Sequence, residues 1–209
     1  MTISKNKPSF IKSLEKILSS KLPGEKAHDI MRTGPKFTKP LEYMKKKAIP
    51  SAVLILLFPN SNTFNFILTL RSKKVETHKG QISLPGGAQE QNESLEKTAL
   101  RETEEEIGVS PETVELIGRL STLYVPFSGF DIHPYVGWAT ETPEMNISVE
   151  EVDKIISVPV TELIDSNNLR IKNTSLRGIP VKMPYFNLKN EIVWGATSMI
   201  LSEFKQLIT

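Results

Sequence analysis

The chain has 209 residues, 39% hydrophobic and 24% charged, which excludes a disordered protein and favours one globular domain with a buried core. It contains no cysteine and three histidines, which excludes disulfide scaffolds, thiol catalysis and thiolate-bound zinc or iron–sulfur sites. The net charge is +2, although twelve basic and four acidic residues fall in the first fifty positions. A solvated surface and attraction to polyanions both explain this basic end; since no nucleic-acid-binding motif accompanies it, we expect no nucleic-acid partner.

Two short helices are predicted near the start of the chain. Apolar residues recur at helical spacing over residues 8–20, and a second helix is predicted over residues 25–31. Residues 33–50 contain prolines, a glycine and three consecutive lysines, which favour an extended connection. We therefore expect residues 1–44 to form a helical extension and residues 45–209 to form the main domain.

The main domain is predicted to mix strands and helices without regular alternation. Residues 52–58 and 63–70 read as a hairpin, and a turn is predicted at residues 85–87. Further strands are predicted at residues 81–84, 114–124, 132–138, 155–160, 181–186 and 191–194, and helices at residues 93–107 and 196–207. This order favours an α/β protein with a mixed sheet flanked by helices over a doubly wound parallel sheet.

The sequence shows no feature of a membrane protein. The longest apolar run, residues 52–58, is far shorter than the roughly 20 residues that cross a bilayer. No apolar stretch follows the lysines of the first twelve residues, so no signal peptide is visible. We therefore expect a cytoplasmic protein with no membrane contact.

The most informative segment is an acidic helix. Glu102, Glu105 and Glu106 lie at positions i, i+3 and i+4, so they share one helix face. Three like charges on one face repel one another, and hard oxygen ligands of this kind suit Mg²⁺ or Mn²⁺. For this spacing alone, a solvated helix face is the competing interpretation, with Arg101 as a surface ion-pair partner.

Residues 87–109 resemble the Nudix box, a 23-residue pattern with fixed glycine, glutamate and arginine positions. The matching residues are Gly87, Glu93, Arg101, Glu102, Glu105, Glu106, Gly108 and Val109. Thr103 departs from the pattern by standing at an apolar position. The resemblance implies a Nudix α/β/α sandwich that hydrolyses the pyrophosphate bond of a nucleoside diphosphate linked to another group X, with Mg²⁺ or Mn²⁺.

The resemblance also implies a role for each residue of the box. It implies that Glu102, Glu105 and Glu106 bind metal together with the Gly87 carbonyl, and that Arg101 orients these carboxylates. Arg101, Glu102 and Glu105 are accordingly expected to be catalytic.

Two carboxylates near the box have alternative roles. Glu93 either supports the loop and helix or only complements the helix dipole. The general base in this family is either a box glutamate or a carboxylate from a distant loop. Of the two candidates in that loop, we favour Glu151 over Glu150 as a catalytic residue, and a purely solvated role remains open.

A second resemblance surrounds the box. The coenzyme A pyrophosphatase branch is similar at residues 67–72, 78–83, 85–87, 124–130, 133–134, 151–152, 158–159 and 194–197. This resemblance implies hydrolysis of coenzyme A to 3′,5′-ADP and 4′-phosphopantetheine, and a homodimer. The substrate-binding residues it implies are Arg71, Ser72, His78, Gly86, Ser128 and Phe130.

Two alternatives to coenzyme A hydrolysis are open. The same chemistry suits other small nucleotide substrates: ADP-ribose, a dinucleotide polyphosphate or an oxidised nucleotide. The fold also suits a non-catalytic ligand-binding module, although such modules typically lack box glutamates that this chain retains.

Overall fold

The computed structural model describes residues 7–34, 48–72, 74, 80–176 and 178–209. Within these ranges the helices are α1 (Ser9–Leu18), α2 (Glu25–Ile30), α3 (Leu95–Ile107), α4 (Val160–Ile164) and α5 (Gly195–Ile208). Short 3-10 turns occupy Pro111–Thr113 and Ser166–Asn168. None of the helices in the described ranges is long and apolar enough to cross a membrane.

Most of the strands belong to one mixed sheet. The strands are β1 (Ile49–Asn60), β2 (Thr63–Arg71), β3 (Ile82–Ser83), β4 (Gly86–Ala88), β5 (Glu115–Arg119), β6 (Leu123–Val125), β7 (Phe130–Trp138), β8 (Val152–Pro159), β9 (Leu169–Leu176), β10 (Ile179–Leu188) and β11 (Glu191–Val193). The main order is β3-β2-β1-β7-β5, while β4 pairs with β1, β6 with β7 and β8 with β2. The β1–β7 pair is parallel and its neighbours are antiparallel, which confirms the predicted mixed sheet. Strands β9, β10 and β11 form a small antiparallel sheet.

The central strand β1 is buried on both faces because helices cover the sheet from both sides. Ala52, Leu54 and Leu56 join a buried cluster that includes residues of α3. Ile55 and Leu57 point to the opposite face, into a cluster that includes residues of α1 and α5. This alternation follows the two-residue period of a strand. The predicted sandwich of a sheet between helical layers is therefore confirmed.

Both predicted N-terminal helices are present, and they pack against the main domain. Ile11 and Leu14 of α1 are at most 1% exposed and belong to the same core cluster as the sheet. Ser202 of α5 donates a hydrogen bond to the carbonyl of Ala27 in α2, at 2.8 Å. The predicted domain boundary stays a prediction because residues 35–47 lie outside the described ranges.

Three local predictions differ from the structure. The strand predicted at residues 114–124 is divided into β5 and β6, since the Ser121 N–H turns away to donate to Glu203 at 3.1 Å. Part of the turn predicted at residues 85–87 is strand β4, whose glycines carry no side-chain pattern to signal it. Strand β9 was not predicted because its apolar alternation covers only Leu169 and Ile171 and ends at Asn173.

Candidate active site

Helix α3 begins and ends at residues with strong capping chemistry. The Ser94 side chain accepts a hydrogen bond from the Lys97 N–H, the usual N-cap arrangement. Gly108 adopts a left-handed conformation, with φ 73°, and donates its N–H to the Glu104 carbonyl at 2.8 Å. These caps fix the register of the helix and thereby the direction of its acidic side chains.

Two consecutive glycines let β4 lie close to both β1 and α3. Gly86 pairs with Val53 and Gly87 with Ala52. A Cβ atom on Gly86 would collide with the Ala52 carbonyl. A Cβ atom on Gly87 would lie 2.5 Å from Oε1 of Glu102, so the carboxylate rests directly against this backbone. At Gly86, where the clash is with backbone and φ is 149°, only glycine permits this approach.

Arg101 gathers the first carboxylates of the box around one guanidinium. Its Nη1 lies 3.0 Å from Glu102 Oε1 and 2.7 Å from Glu105 Oε2. Its Nη2 lies 2.8 Å from Glu93 Oε1 and donates to the Ala88 carbonyl at 3.2 Å. The same side chain therefore neutralises like charges on α3 and ties the helix to β4.

Glu93 is a structural anchor between the loop and α3. It accepts hydrogen bonds from Arg101, from the Glu90 N–H at 2.9 Å and from the Thr98 hydroxyl at 2.9 Å. The bond from Arg101, followed by that from Glu90, lowers the pKa of Glu93 to about 2. These bonds go well beyond complementing the helix dipole.

Glu106 is a buried carboxylate at the inner side of the cluster. Its side chain is 2% exposed and lies 3.1 Å from Nη1 of Arg71. The Gly86 N–H donates to its other oxygen at 3.4 Å. Burial raises the pKa of Glu106 to about 8, although the charge of Arg71 opposes the shift. The pKa of Glu102 is also raised, by burial first, against the charge of Arg101.

Glu151 interacts electrostatically with the carboxylates of the box, whereas its neighbour Glu150 pairs with a surface lysine. The charge of Glu151 contributes to the raised pKa of both Glu102 and Glu106. Glu150 is exposed and pairs with Lys74 at 2.8 Å. The charge of Glu151 therefore acts on the acidic cluster, and its role as the base stays a prediction.

The substrate-binding residues predicted from sequence lie in different surroundings. Arg71 and Gly86 both contact Glu106, so they lie at the acidic cluster. Ser72 is 1% exposed, and its hydroxyl accepts a hydrogen bond from the backbone N–H two residues further on. His78 lies outside the described residues.

Ser128 lies in the turn between β6 and β7, and Phe130 is the first residue of β7. The Ser128 hydroxyl donates to the Val125 carbonyl and accepts from the Phe130 N–H, both at 3.5 Å. These contacts stabilise the turn itself.

Sequence reasoning missed the Ala88 carbonyl that holds Arg101, because a backbone oxygen has no residue-type signal.

The acidic residues provide hard oxygen ligands, the donor type that Mg²⁺ and Mn²⁺ take. In the described part of the chain, no group of three or more histidine, aspartate or glutamate side chains is drawn together closely enough to hold a metal ion. Glu102 and Glu105 are directed to Arg101, and Glu106 is directed to Arg71. The donor chemistry therefore fits the predicted ions, and use of all three ligands requires the carboxylates to exchange arginine contacts for metal contacts.

Relatives of this chain share a named family. The family model of the NUDIX domain matches residues 48–177. An uncharacterised Nudix hydrolase NudL from Photorhabdus laumondii is 30% identical over 143 residues, which cover 68% of this chain and 76% of that protein. Nudix hydrolase 3 of Caenorhabditis elegans is 31% identical over 174 residues, covering 75% and 72%. Nudix hydrolase 15, mitochondrial, of Arabidopsis thaliana is 33% identical over 162 residues, covering 72% and 55%. The chain therefore belongs to the NUDIX domain family and is a Nudix hydrolase, an enzyme acting on a nucleoside diphosphate linked to another group.

Proposed function

We propose that this Nudix hydrolase cleaves the pyrophosphate bond of coenzyme A or its derivatives, giving 3′,5′-ADP and 4′-phosphopantetheine. The observation that carries the chemistry is the packing of the Glu102 carboxylate against Gly87, with buried Glu106 and Arg101 alongside. The choice of coenzyme A rests on the sequence segments around the box, above all residues 67–72 and 78–87.

The proposed cofactor is Mg²⁺ or Mn²⁺, since Nudix hydrolases generally use divalent metal ions. Glu102, Glu105 and Glu106 would hold it, with the Gly87 carbonyl as a further ligand. When bound, such an ion lowers the pKa of a water molecule and neutralises charge on the pyrophosphate. Arg101 holds the carboxylates of Glu102 and Glu105 at one guanidinium and so positions them on the helix face.

Glu151 is the proposed general base. Its carboxylate takes a proton from the attacking water while the water oxygen bonds to phosphorus. The bond between that phosphorus and the bridging oxygen breaks, and the bridging oxygen leaves with the second phosphate. Each product then carries one phosphate of the former pyrophosphate, so the atoms balance without another reactant.

The position of Arg71 supports the proposal that an anionic substrate binds beside the acidic cluster. Its side chain is 23% exposed while one end contacts Glu106, so a cation lies at the edge of the acidic cluster. A guanidinium binds phosphate oxygens well because it presents several N–H donors in a fixed fork. The proposal also includes a cytoplasmic location and a homodimer. The further substrate contacts that it includes are those of Ser72, His78, Gly86, Ser128 and Phe130.

The test is a comparison of coenzyme A with ADP-ribose and dinucleotide polyphosphates, each with Mg²⁺ and with Mn²⁺. The variant is Glu105→Gln, which removes the charge of a half-exposed residue and keeps nearly the same side-chain shape. Its matched control is Glu104→Gln, an exposed glutamate one position earlier on α3. We expect kcat/KM to fall at least about 100-fold in the first variant and to stay near wild type in the second.

The outcomes separate the substrate from the chemistry. Preferred cleavage of coenzyme A to the two named products, lost in Glu105→Gln alone, supports the whole proposal. Preferred cleavage of ADP-ribose or a dinucleotide keeps the metal-dependent chemistry and overturns coenzyme A as the substrate. Equal activity of both variants overturns the assignment of Glu105.

A further inference from the structure

Arg71 lies where the innermost carboxylate of the acidic cluster needs a counter-ion. Its Nη1 lies 3.1 Å from Oε1 of Glu106, whose side chain is 2% exposed. The charges of Glu102 and Glu151 also act on this carboxylate. A buried carboxylate with like charges nearby requires a compensating cation. Within the described residues, Arg71 provides that cation.

The backbone of Arg71 is fixed, while its side chain reaches the solvent. The Arg71 N–H donates to the Gln81 carbonyl at 3.0 Å, and the Arg71 carbonyl accepts the Gly80 N–H at 3.1 Å. The next residue, Ser72, donates its N–H to the Glu151 carbonyl at 2.8 Å. The Arg71 side chain is 23% exposed. Rotation about its side-chain torsions can therefore turn the guanidinium outwards while the strand stays in place.

The guanidinium of Arg71 leaves a donor unused in its contact with Glu106. Nη1 donates to Glu106, whereas Nε is buried and has no hydrogen-bond partner among the described residues. A buried donor without an acceptor lowers stability. Arginine often binds phosphate through two parallel N–H bonds. An anion that also accepts from Nε would therefore bind this guanidinium better than Glu106 does.

A metal ion and Arg71 require the same carboxylate. One oxygen of Glu106 accepts the Gly86 N–H at 3.4 Å, and the other faces Arg71, so both oxygens already have a partner. A divalent cation on Glu106 would stand beside the guanidinium, and two cations on one carboxylate repel each other. The two cations therefore exclude one another from Glu106.

We propose that Arg71 competes with the metal ion for Glu106, and that its guanidinium moves to the pyrophosphate of the substrate when the ion binds. This inference rests on the proposed function and adds a coupling to it. Arg71 stabilises the buried carboxylate before the ion arrives, and afterwards it donates to phosphate oxygens at the edge of the cluster. Arg71 is thus a positioning residue that makes the substrate site dependent on the ion, and no covalent bond changes.

Arg71→Gln tests the competition through metal affinity in the absence of substrate. The probe is Mn²⁺, titrated at pH 8 and followed by the electron paramagnetic resonance signal of the free ion. Because the competing guanidinium is gone, we expect the Kd for Mn²⁺ to fall at least about fivefold. Loss of a merely structural contact would leave metal affinity unchanged or weaken it, so a gain in affinity is specific to competition.

Lys74→Gln is the matched control. It removes the same charge three positions later, from a lysine that pairs with Glu150 at 2.8 Å. We expect its Kd for Mn²⁺ to stay within about twofold of wild type, and Arg71→Lys, which keeps the cation, to do the same. Thermal melts establish that each variant is folded.

The second measurement is the KM for coenzyme A at saturating Mn²⁺, which we expect to rise about tenfold in Arg71→Gln. Tighter Mn²⁺ binding together with the raised KM supports the proposal. Unchanged or weaker Mn²⁺ binding in Arg71→Gln overturns the competition, and an unchanged KM overturns the move to substrate. Tighter Mn²⁺ binding, with a raised KM for ADP-ribose and no cleavage of coenzyme A by wild type, overturns the proposed substrate and supports the exchange at Glu106.

Discussion

Replacement of Glu203 by glutamine tests whether a buried carboxylate network holds the N-terminal helices to the enzyme. Glu203 is fully buried in α5 and accepts hydrogen bonds from the Gly24 N–H at 2.8 Å and the Ser121 hydroxyl at 2.6 Å on one oxygen. The other oxygen lies 3.0 Å from His28 Nε2 and accepts the Ser121 N–H at 3.1 Å. One side chain thus connects α5 to α2, to the turn before α2 and to the β5–β6 connection.

The expected loss of stability follows from the number of hydrogen-bond donors that lose their acceptor when the carboxylate becomes an amide. Glutamine keeps one acceptor oxygen and replaces the other with an NH₂ group, which leaves a buried donor without an acceptor. An unsatisfied buried donor costs about 1–3 kcal/mol, and a hydrogen bond to an ionised group contributes about 1.5–3 kcal/mol. We therefore expect Glu203→Gln to lower the free energy of unfolding by about 2–4 kcal/mol. At about 2–4 °C per kcal/mol, the midpoint of thermal unfolding falls by roughly 4–16 °C.

The assay is urea unfolding at pH 7 followed by circular dichroism, with Glu191→Gln as the control. Glu191 pairs with Lys154 at 3.1 Å on the surface, and loss of such a pair costs under about 1 kcal/mol. If Glu203→Gln and Glu191→Gln lower the free energy of unfolding equally, the network contributes no more than a surface ion pair and the reasoning fails.

The pH dependence of the free energy of unfolding provides a second test of this prediction. Burial opposes ionisation of Glu203, but the hydrogen bonds from His28, Ser121 and Gly24 outweigh it and lower the pKa. A carboxyl whose pKa is lower in the folded state contributes stability above its unfolded pKa and loses it as the pH falls through the folded pKa. The gap in stability between wild type and Glu203→Gln should therefore narrow only below about pH 4.5.

Two further predictions concern the box. Gly87→Ala places a methyl group against the Glu102 carboxylate, so we expect metal affinity, measured by titration calorimetry, to fall roughly 10- to 100-fold. Ala88→Ser is the control and should bind metal almost as well as wild type. Equal metal affinity in the two variants would contradict the prediction. Glu93→Gln removes the carboxylate bound to Arg101, and since the folded pKa of Glu93 is about 2, the loss of thermal stability should be complete above about pH 4.5, still be present at pH 4 and shrink progressively as the pH falls to 2. A stability difference that already vanishes near pH 4.5 would contradict this.

The sequence predicted the parts of the site that depend on local chemistry. Helix α3 is recognisable because Ser94 caps its start and Gly108 ends it. The shared face of its glutamates follows from the helical repeat. The uninterrupted apolar run at residues 52–58 likewise predicts a strand buried on both faces. In each case, neighbours within a few positions determine the structure.

Contacts between distant positions had no such signal. The Arg71–Glu106 pair joins residues 35 positions apart, and the His28–Glu203 pair joins residues 175 positions apart. The Thr103 departure is explained only by its surroundings: it is 1% exposed, and its hydroxyl donates to the Ala99 carbonyl at 2.7 Å. A hydroxyl satisfied within its own helix can be buried at an apolar position.

The position of β1 in the sheet affects how the active site opens during spontaneous fluctuations. β1 lies between β2 and β7 and also pairs with Gly86–Ala88, so the backbone beneath the carboxylates is hydrogen-bonded on both sides. Glu151 instead ends a connection with little regular structure between β7 and β8. Segments with few regular backbone hydrogen bonds open more readily than paired strands, and they open as separate cooperative units. We therefore expect amide hydrogen exchange to be faster in this connection than in β1, although Ser148 ties it to Glu106, so that local opening displaces the proposed base before the proposed ligands.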